Sequence, residues 1–271
     1  MTTTRYMTVG EGRIAFEDTG GSGMPILLVP GMGDLKGVYR FITDDLNKRG
    51  FRVITMDLRG MGDSSARWKD YSESSIALDI VTLINKLDLK SVVLVGNSIS
   101  AGSSIIASAK HPGLITKLVL ISPFARNVPI SHFKLFLFRL AIVRPWGPWV
   151  WANYQSSILY PSVKPPDMET YRYSIRKMLF QKGRMKAFQK MAATNHDKAQ
   201  ENIEKLKVPT MVVMGSKDPD FPNPKNEMDW LAERIGAKTL MIEGAGHYPQ
   251  AEYPEEFIKC LINFIGEGSV S

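Results

Sequence analysis

Short unbroken apolar runs alternate along this chain with longer stretches whose apolar residues recur every three or four positions. The runs are Pro25-Ile26-Leu27-Leu28-Val29, Phe51-Arg52-Val53-Ile54-Thr55-Met56, Val92-Val93-Leu94-Val95, Leu118-Val119-Leu120-Ile121, Pro209-Thr210-Met211-Val212-Val213-Met214-Gly215 and Lys238-Thr239-Leu240-Met241-Ile242. Runs of this length, rich in β-branched residues, read as strands buried on both faces. Ahead of them, Arg13 to Thr19 alternates and meets Gly20-Gly21-Ser22-Gly23, a hairpin-like signal. Between the runs the spacing predicts helices. They span Val38 to Arg49, closed by Gly50, and about Ser74 to Leu87, with Ile76, Ile80, Leu83, Ile84 and Leu87 on one face. Further helices are predicted from Ile99 to about Lys110, from about Asn226 to Ile235, and from about Pro254 to Phe264.

Strand–helix alternation implies an α/β fold with a mostly parallel central sheet flanked by helices. Right-handed crossovers bring the strand C-termini to one edge, where ligands bind. The rhythm breaks from Phe124 to Lys207, an aromatic and basic stretch without a clear strand pattern. Phe133, Phe136, Phe138, Trp146, Trp149, Trp151, Tyr154 and Tyr160 all fall within it. It reads as a helical insertion, which divides the chain into a core of 1–123 and 208–271 and an inserted cap of 124–207. Lys134 to Val143 has the character of a membrane-surface helix. A cap packed on the sheet edge is the favoured reading, because Pro145 and Pro148 interrupt the helix and an inserted cap needs apolar residues to bury. No internal repeat is visible.

Composition narrows this picture. The 271 residues are 44% hydrophobic and 23% charged, which is globular and enough for one sizeable domain with an insertion. No run of about eighteen uninterrupted apolar residues exists, so no membrane-spanning helix is expected. Met1-Thr2-Thr3-Thr4-Arg5-Tyr6 lacks the apolar core of a secretory signal, and Cys260 is the only cysteine, which excludes an intrachain disulfide. The expected location is cytoplasmic. Cys260 lies in the apolar stretch Phe257 to Ile262 and reads as a core residue. The net charge of +7 and pI near 9.3 raise the question of nucleic acid. The basic residues read as scattered, so the charge is taken as solubility and attraction of anionic ligands, with no nucleic-acid partner.

The candidate chemistry lies at the predicted C-terminal sheet edge. Val92 to Val95 runs into Gly96-Asn97-Ser98 and then directly into a helix, which places Ser98 on a sharp turn over the helix amino end. Of four histidines, His111 ends a helix before Pro112-Gly113, and His132 and His196 lie in the insertion without a partner pattern. His247 follows a strand in Gly244-Ala245-Gly246-His247, and Asp218 also follows a strand end. A serine hydroxyl needs a base, the base needs an acid to fix its tautomer, and an oxyanion needs two backbone donors. The N–H groups of Ile99 and Met32 are the candidate donors. No metal-ligand spacing and no dinucleotide-type glycine loop is present, so neither metal nor cofactor is expected.

With those residues in view, the chain resembles the α/β-hydrolase superfamily, in its capped, serine-nucleophile, esterase-like branch. The matching stretches are Pro30-Gly31-Met32-Gly33-Asp34 for the oxyanion loop, Asp57 to Ser64 for the turn after the next strand, and Gly96-Asn97-Ser98-Ile99-Ser100 for the nucleophile elbow. Gly215-Ser216-Lys217-Asp218 matches the acid turn and Gly244 to His247 the base loop. The resemblance implies the α/β-hydrolase fold with a helical cap, and a catalytic triad of Ser98, Asp218 and His247. It departs in two places: Pro30 stands where a histidine is usual, and Ser100 where the last elbow glycine is usual. A slightly altered elbow is expected. Relatives that open epoxides or cleave carbon–halogen bonds carry an aspartate at the position of Ser98.

The resemblance therefore implies hydrolysis of a small or medium, largely apolar carboxylic ester, lactone or thioester through an acyl-enzyme. Serine-dependent carbon–carbon hydrolysis and a slow-turnover, ligand-binding signalling role on the same fold are the alternatives. The expected partner is a small-molecule substrate. Trp146, Trp149 and Trp151 are candidate substrate-binding residues, and Asn97 binds either the elbow or the substrate. Asp218, rather than Asp220, is the expected acid, because Pro219 turns Asp220 away toward a cap or water.

Overall fold

The computed structural model describes residues 3–127 and 131–266, apart from the His132 side chain. It begins with β1 (Arg5–Val9) and β2 (Gly12–Asp18), joined at Gly10-Glu11 and paired antiparallel. The predicted hairpin signal at Gly20 to Gly23 is misplaced. That stretch instead leads from β2 into β3 (Pro25–Val29), and the two strands are not neighbours.

A 3-10 turn, Lys36–Tyr39, precedes α1 (Arg40–Lys48), where the pattern had predicted one continuous helix. Next come β4 (Arg52–Met56), α2 (Glu73–Lys86), β5 (Val92–Asn97), α3 (Ile99–Lys110) and β6 (Ile115–Ile121). Five helices follow: α4 (His132–Ala141), α5 (Gly147–Ser157), α6 (Met168–Phe180), α7 (Arg184–Ala192) and α8 (Asp197–Ile203). The chain closes with β7 (Thr210–Gly215), α9 (Pro224–Ile235), β8 (Lys238–Ile242), α10 (Pro249–Glu252) and α11 (Pro254–Gly266).

The eight strands form one sheet in the order β1-β2-β4-β3-β5-β6-β7-β8. Among the described residues only the β1–β2 and β2–β4 pairings are antiparallel, and β4, β3, β5, β6, β7 and β8 run parallel. Helix α1 packs with α10 and α11, while α2 packs with α3 and α8. Every residue of β3 and β5 is buried, as expected for parallel strands covered on both faces. Parallel pairing sets Val29 beside Gly96, and Asn97 beside Ile121. The loops after β3, β5 and β6 therefore leave the sheet at the same edge.

Long-range contacts tie α4–α8 to the strand core. Arg40 pairs with Asp167, Trp151 Nε1 donates to the Gly33 carbonyl at 3.1 Å, and the His247 N–H donates to the Leu159 carbonyl at 3.0 Å. His196 has a partner after all: its Nδ1 lies 2.8 Å from the buried Glu73 carboxylate, with the ring stacked on Phe124. That pair joins residues 123 positions apart, so no local pattern announces it. The His132 side chain lies outside the described residues, and His111 caps α3 as expected. Cys260 is half-buried on α11 rather than a core residue. The basic residues are not evenly scattered either. Residues 124–207 hold 15 Lys and Arg against 5 Asp and Glu, a surplus of ten that exceeds the +7 of the whole chain.

Candidate active site

Ser98 sits between β5 and α3 with φ +60° and ψ −123°. A non-glycine residue pays roughly 1–3 kcal/mol for such backbone, which persists only where the surroundings enforce it. Here β5 is wholly buried and α3 begins at the next residue, so the chain must reverse within one residue. Gly96 makes the reversal possible, since a Cβ there would meet the Ser100 carbonyl oxygen and Ser104 Oγ at 2.5 Å. The Ser100 substitution is accommodated as a link: its Oγ donates to the Pro30 carbonyl at 2.5 Å, joining α3 to the loop after β3. That loop lies close against the elbow, for a Cβ on Gly31 would sit 3.1 Å from Ser98 Cβ. Among the described residues, neither the Met32 nor the Ile99 backbone N–H donates a hydrogen bond, and the Ser98 hydroxyl has no partner.

Asn97 is fully buried, and its amide donates to the carbonyls of Ile121 and His247, each at 3.3 Å. Of its two expected roles, the structure supports bracing the elbow and the base loop. Its Oδ1 has no partner among the described residues and lies 3.1 Å from where a Cβ on Gly31 would sit. The Phe124 N–H donates to the Ser98 carbonyl at 3.4 Å, and its ring lies 6.1 Å from the His247 ring. Asn97 and Phe124 thus hold the serine turn and the histidine loop together.

The Nδ1 of His247 is 2.8 Å from Asp218 Oδ2, and both side chains are almost completely buried. Asp220 lies closer than expected, with Oδ2 3.6 Å from the same Nδ1. The turn does not carry it off to water. The Asp220 N–H bonds back to Asp218 Oδ1 at 3.0 Å, curling the segment, and the Tyr154 hydroxyl donates to Asp220 Oδ1. Burial by itself lowers the His247 pKa, but the two neighbouring carboxylates prevail and raise it to about 9. Burial, aided by the Asp218 charge, pushes Asp220 above the usual carboxylate range while the imidazolium draws it down. Asp218, Asp220 and His247 also offer three ligand atoms within 4.8 Å of one another. In the observed arrangement the Nδ1 edge faces Asp218 and one Asp220 oxygen is taken by Tyr154, so the trio is occupied with its own hydrogen bonds.

Among the three candidate tryptophans, only Trp151 reaches the loop after β3. It is buried against Phe188 and Tyr154, with Nε1 on the Gly33 carbonyl. Trp146 and Trp149 face outward, the first bonding the Leu140 carbonyl and the second lying under Arg176. Successive helical residues turn by about 100°, so Trp149 and Trp151 point to opposite sides of α5. The structure therefore does not bring Trp146 and Trp149 to that loop.

A buried polar cluster beside His247 escaped the sequence reading. Asp34 Oδ1 accepts from the Leu35 N–H at 2.8 Å and from the Tyr171 hydroxyl, while Oδ2 has no partner among the described residues. The Tyr160 hydroxyl and both amide atoms of Gln155 are equally unpartnered and buried. The Tyr248 hydroxyl faces Asp34 and Gln155, and its ring stacks on Tyr160 at 5.0 Å and meets His247 edge-on at 5.3 Å. Burial lifts the Asp34 pKa to about 6 against the pull of Tyr171, Leu35 and Arg40. A buried polar group left without any partner costs about 1–3 kcal/mol. Asp34 belongs to a quoted motif, but Gln155 and Tyr160 arrive from α5 and its exit, with no spacing signal to mark them.

Comparison with known proteins bears on the family and the fold. The family described as "alpha/beta hydrolase fold" matches residues 24–254. A thermophilic esterase from Thermogutta terrifontis superposes with a TM-score of 0.74 at 26% identity, covering 98% of both chains. An esterase from Exiguobacterium antarcticum superposes with a TM-score of 0.82 at 21% identity, over 98% of this chain and 99% of that one. The 2-hydroxy-6-oxononadienedioate/2-hydroxy-6-oxononatrienedioate hydrolase of Escherichia coli is 23% identical across 97% of this chain and 96% of its own length. The fold, the family match and the edge on which Ser98, Asp218 and His247 converge lead to one conclusion: this chain belongs to the alpha/beta hydrolase fold family.

Proposed function

We propose that this protein is a serine hydrolase that cleaves a carboxylic ester, lactone or thioester through an acyl-enzyme. The observation that carries the reading is the buried Asp218–His247 pair beside a serine held at positive φ. Ser98 Oγ attacks the carbonyl carbon as His247 Nε2 takes its proton, and the carbonyl electron pair moves onto oxygen. That oxyanion is received by the N–H groups of Met32 and Ile99. Collapse expels the alcohol or thiol, which takes the proton from His247. Water then repeats the sequence to release the acid and restore Ser98. Asp218 holds the imidazole tautomer and balances its charge. An aspartate elbow, as used in epoxide opening, would form an alkyl-enzyme ester instead, and Ser98 supports acyl chemistry over that route.

Residues 124–207 act in this reading as a cap over the core of 1–123 and 208–271, with Trp151 and Phe188 as its apolar wall. The unpartnered atoms of Asp34, Gln155 and Tyr160 refine the substrate: it carries a hydrogen-bonding group beside its apolar part. An ester with a hydroxyl or amide on its acyl or alcohol arm is expected to exceed the plain alkyl ester of equal length by about tenfold or more in kcat/KM. Asp34→Asn is expected to shrink that ratio. Equal rates for both ester types would remove the polar subsite from the account. Intact-mass spectrometry during turnover of an activated ester tests the reaction itself. A single acyl adduct should appear on wild type and be missing from Ser98→Ala. A turnover number within about 1–10³ per second supports an enzyme, and one orders of magnitude lower supports a ligand-binding signalling role.

A further inference from the structure

We propose that the outer face of α4 and α5 docks on an anionic phospholipid bilayer surface, making this a peripheral membrane protein. Its basis is a solvent-facing stripe of the wrong polarity. Phe133, Phe136, Leu137 and Leu140 are all exposed and lie at helical spacings of three and four, so the water-facing side of α4 is the apolar one. Phe133 is 69% exposed. The stripe continues toward α5, where the ring of Trp146, the residue just before that helix, joins the end of α4 through its bond to the Leu140 carbonyl at 2.9 Å. Trp149 extends it, meeting Phe180 edge-on at 6.3 Å.

Eleven of the fourteen exposed large hydrophobic residues among the described residues fall within 124–207. Contiguous apolar surface of this kind is rare on a monomer without a partner. No helix among the described residues is long and apolar enough to cross a membrane, so the face is suited to lying on a bilayer rather than spanning it.

Charge selects the occupant. The segment that carries the stripe also carries the surplus of ten basic residues, and no Asp or Glu occurs between positions 130 and 166. Lys134 and Arg139 flank the stripe on α4, while Arg176 stacks on Trp149 at 3.8 Å and Arg144 reaches the Phe180 carbonyl at 3.0 Å. Tryptophans with a basic rim sit well at the boundary between headgroups and acyl chains, where apolar rings are buried and cations meet anionic phosphate. A second copy of this chain would bring the same positive charges face to face, which disfavours self-association. Docking would also place the site usefully, because Trp151, on the opposite side of α5 from Trp149, contacts the loop after β3.

Co-sedimentation with vesicles tests this on the full chain. At low salt the protein should bind phosphatidylcholine vesicles containing about 30% phosphatidylglycerol at least tenfold more tightly than phosphatidylcholine alone, and salt should weaken that binding. The double variant Phe133→Ser/Phe136→Ser should lose at least about tenfold in affinity with an unchanged circular dichroism spectrum. Lys134→Glu/Arg139→Glu provides a second variant that leaves the apolar stripe intact, and it should lose binding to the anionic vesicles. Failure of wild type to bind anionic vesicles at low salt overturns the proposal. So does binding that both double variants leave unchanged, or a dimer by light scattering that the phenylalanine variant abolishes while vesicles capture nothing.

Discussion

Ser98→Ala is expected to lower kcat/KM on an activated short-chain ester by roughly 10⁴–10⁶-fold. The magnitude follows from removing the proposed nucleophilic oxygen, leaving the oxyanion donors and binding contacts to supply the residue of catalysis. A fluorophosphonate probe should add one label to wild type and none to the variant. The fold should survive, because alanine keeps the Cβ at the turn, and no hydrogen bond from the hydroxyl is lost among the described residues. Removing a side chain from a positive-φ position that already carries one adds no new steric demand. Undiminished ester cleavage by Ser98→Ala would move the chemistry to another nucleophile and end the acyl-enzyme reading.

The next largest effect is expected at Asp218. Asp218→Asn should reduce kcat by about 10⁴, because an amide facing Nδ1 favours the tautomer that cannot accept the serine proton. Asp220→Asn should cost less than about tenfold at the pH optimum, since Asp220 lies farther from Nδ1 and bonds Tyr154 instead. The two carboxylates also set a pH signature. The base must be neutral to take the proton, and His247 is raised to about 9, so most of the free protein holds a protonated imidazole at pH 7. On a log scale, kcat/KM should therefore climb with pH and level off near 9. Removing the Asp220 charge takes away an anion that favours the imidazolium, so the limb in Asp220→Asn should move to lower pH. A pH–rate profile for the three proteins measures this directly. A larger loss in Asp220→Asn than in Asp218→Asn would exchange the two roles, and a limb that Asp220→Asn leaves in place would remove Asp220 from the electrostatics of the base.

Much of this was legible in the chain because it is local. A run of buried β-branched residues entering Gly96-Asn97-Ser98 and continuing as a helix specifies strand, turn and helix within twenty residues. The same economy marks the loop after β3, the turn holding Asp218 and the loop holding His247. Their order along alternating strands and helices was enough to gather Ser98, Asp218 and His247 at one sheet edge. Even the charge surplus of 124–207 was countable from the sequence.

What only the tertiary structure decided are the contacts between distant segments, which packing selects and no spacing encodes. Tyr154 and the backbone of Asp220 itself draw that carboxylate toward His247, although Pro219 suggested that it turned away. Burial turned Asn97 into a brace, and the rotation of α5 sent Trp151 inward and Trp149 outward. Asp34 became one wall of a polar cluster because Tyr171, 137 residues away, bonds it and Gln155 and Tyr160 settle nearby. The pattern of α4 alone could not say which side faces the protein, because phenylalanine and leucine surround the helix. The fold buries Ile142 in the core and leaves Phe133, Phe136, Leu137 and Leu140 to solvent.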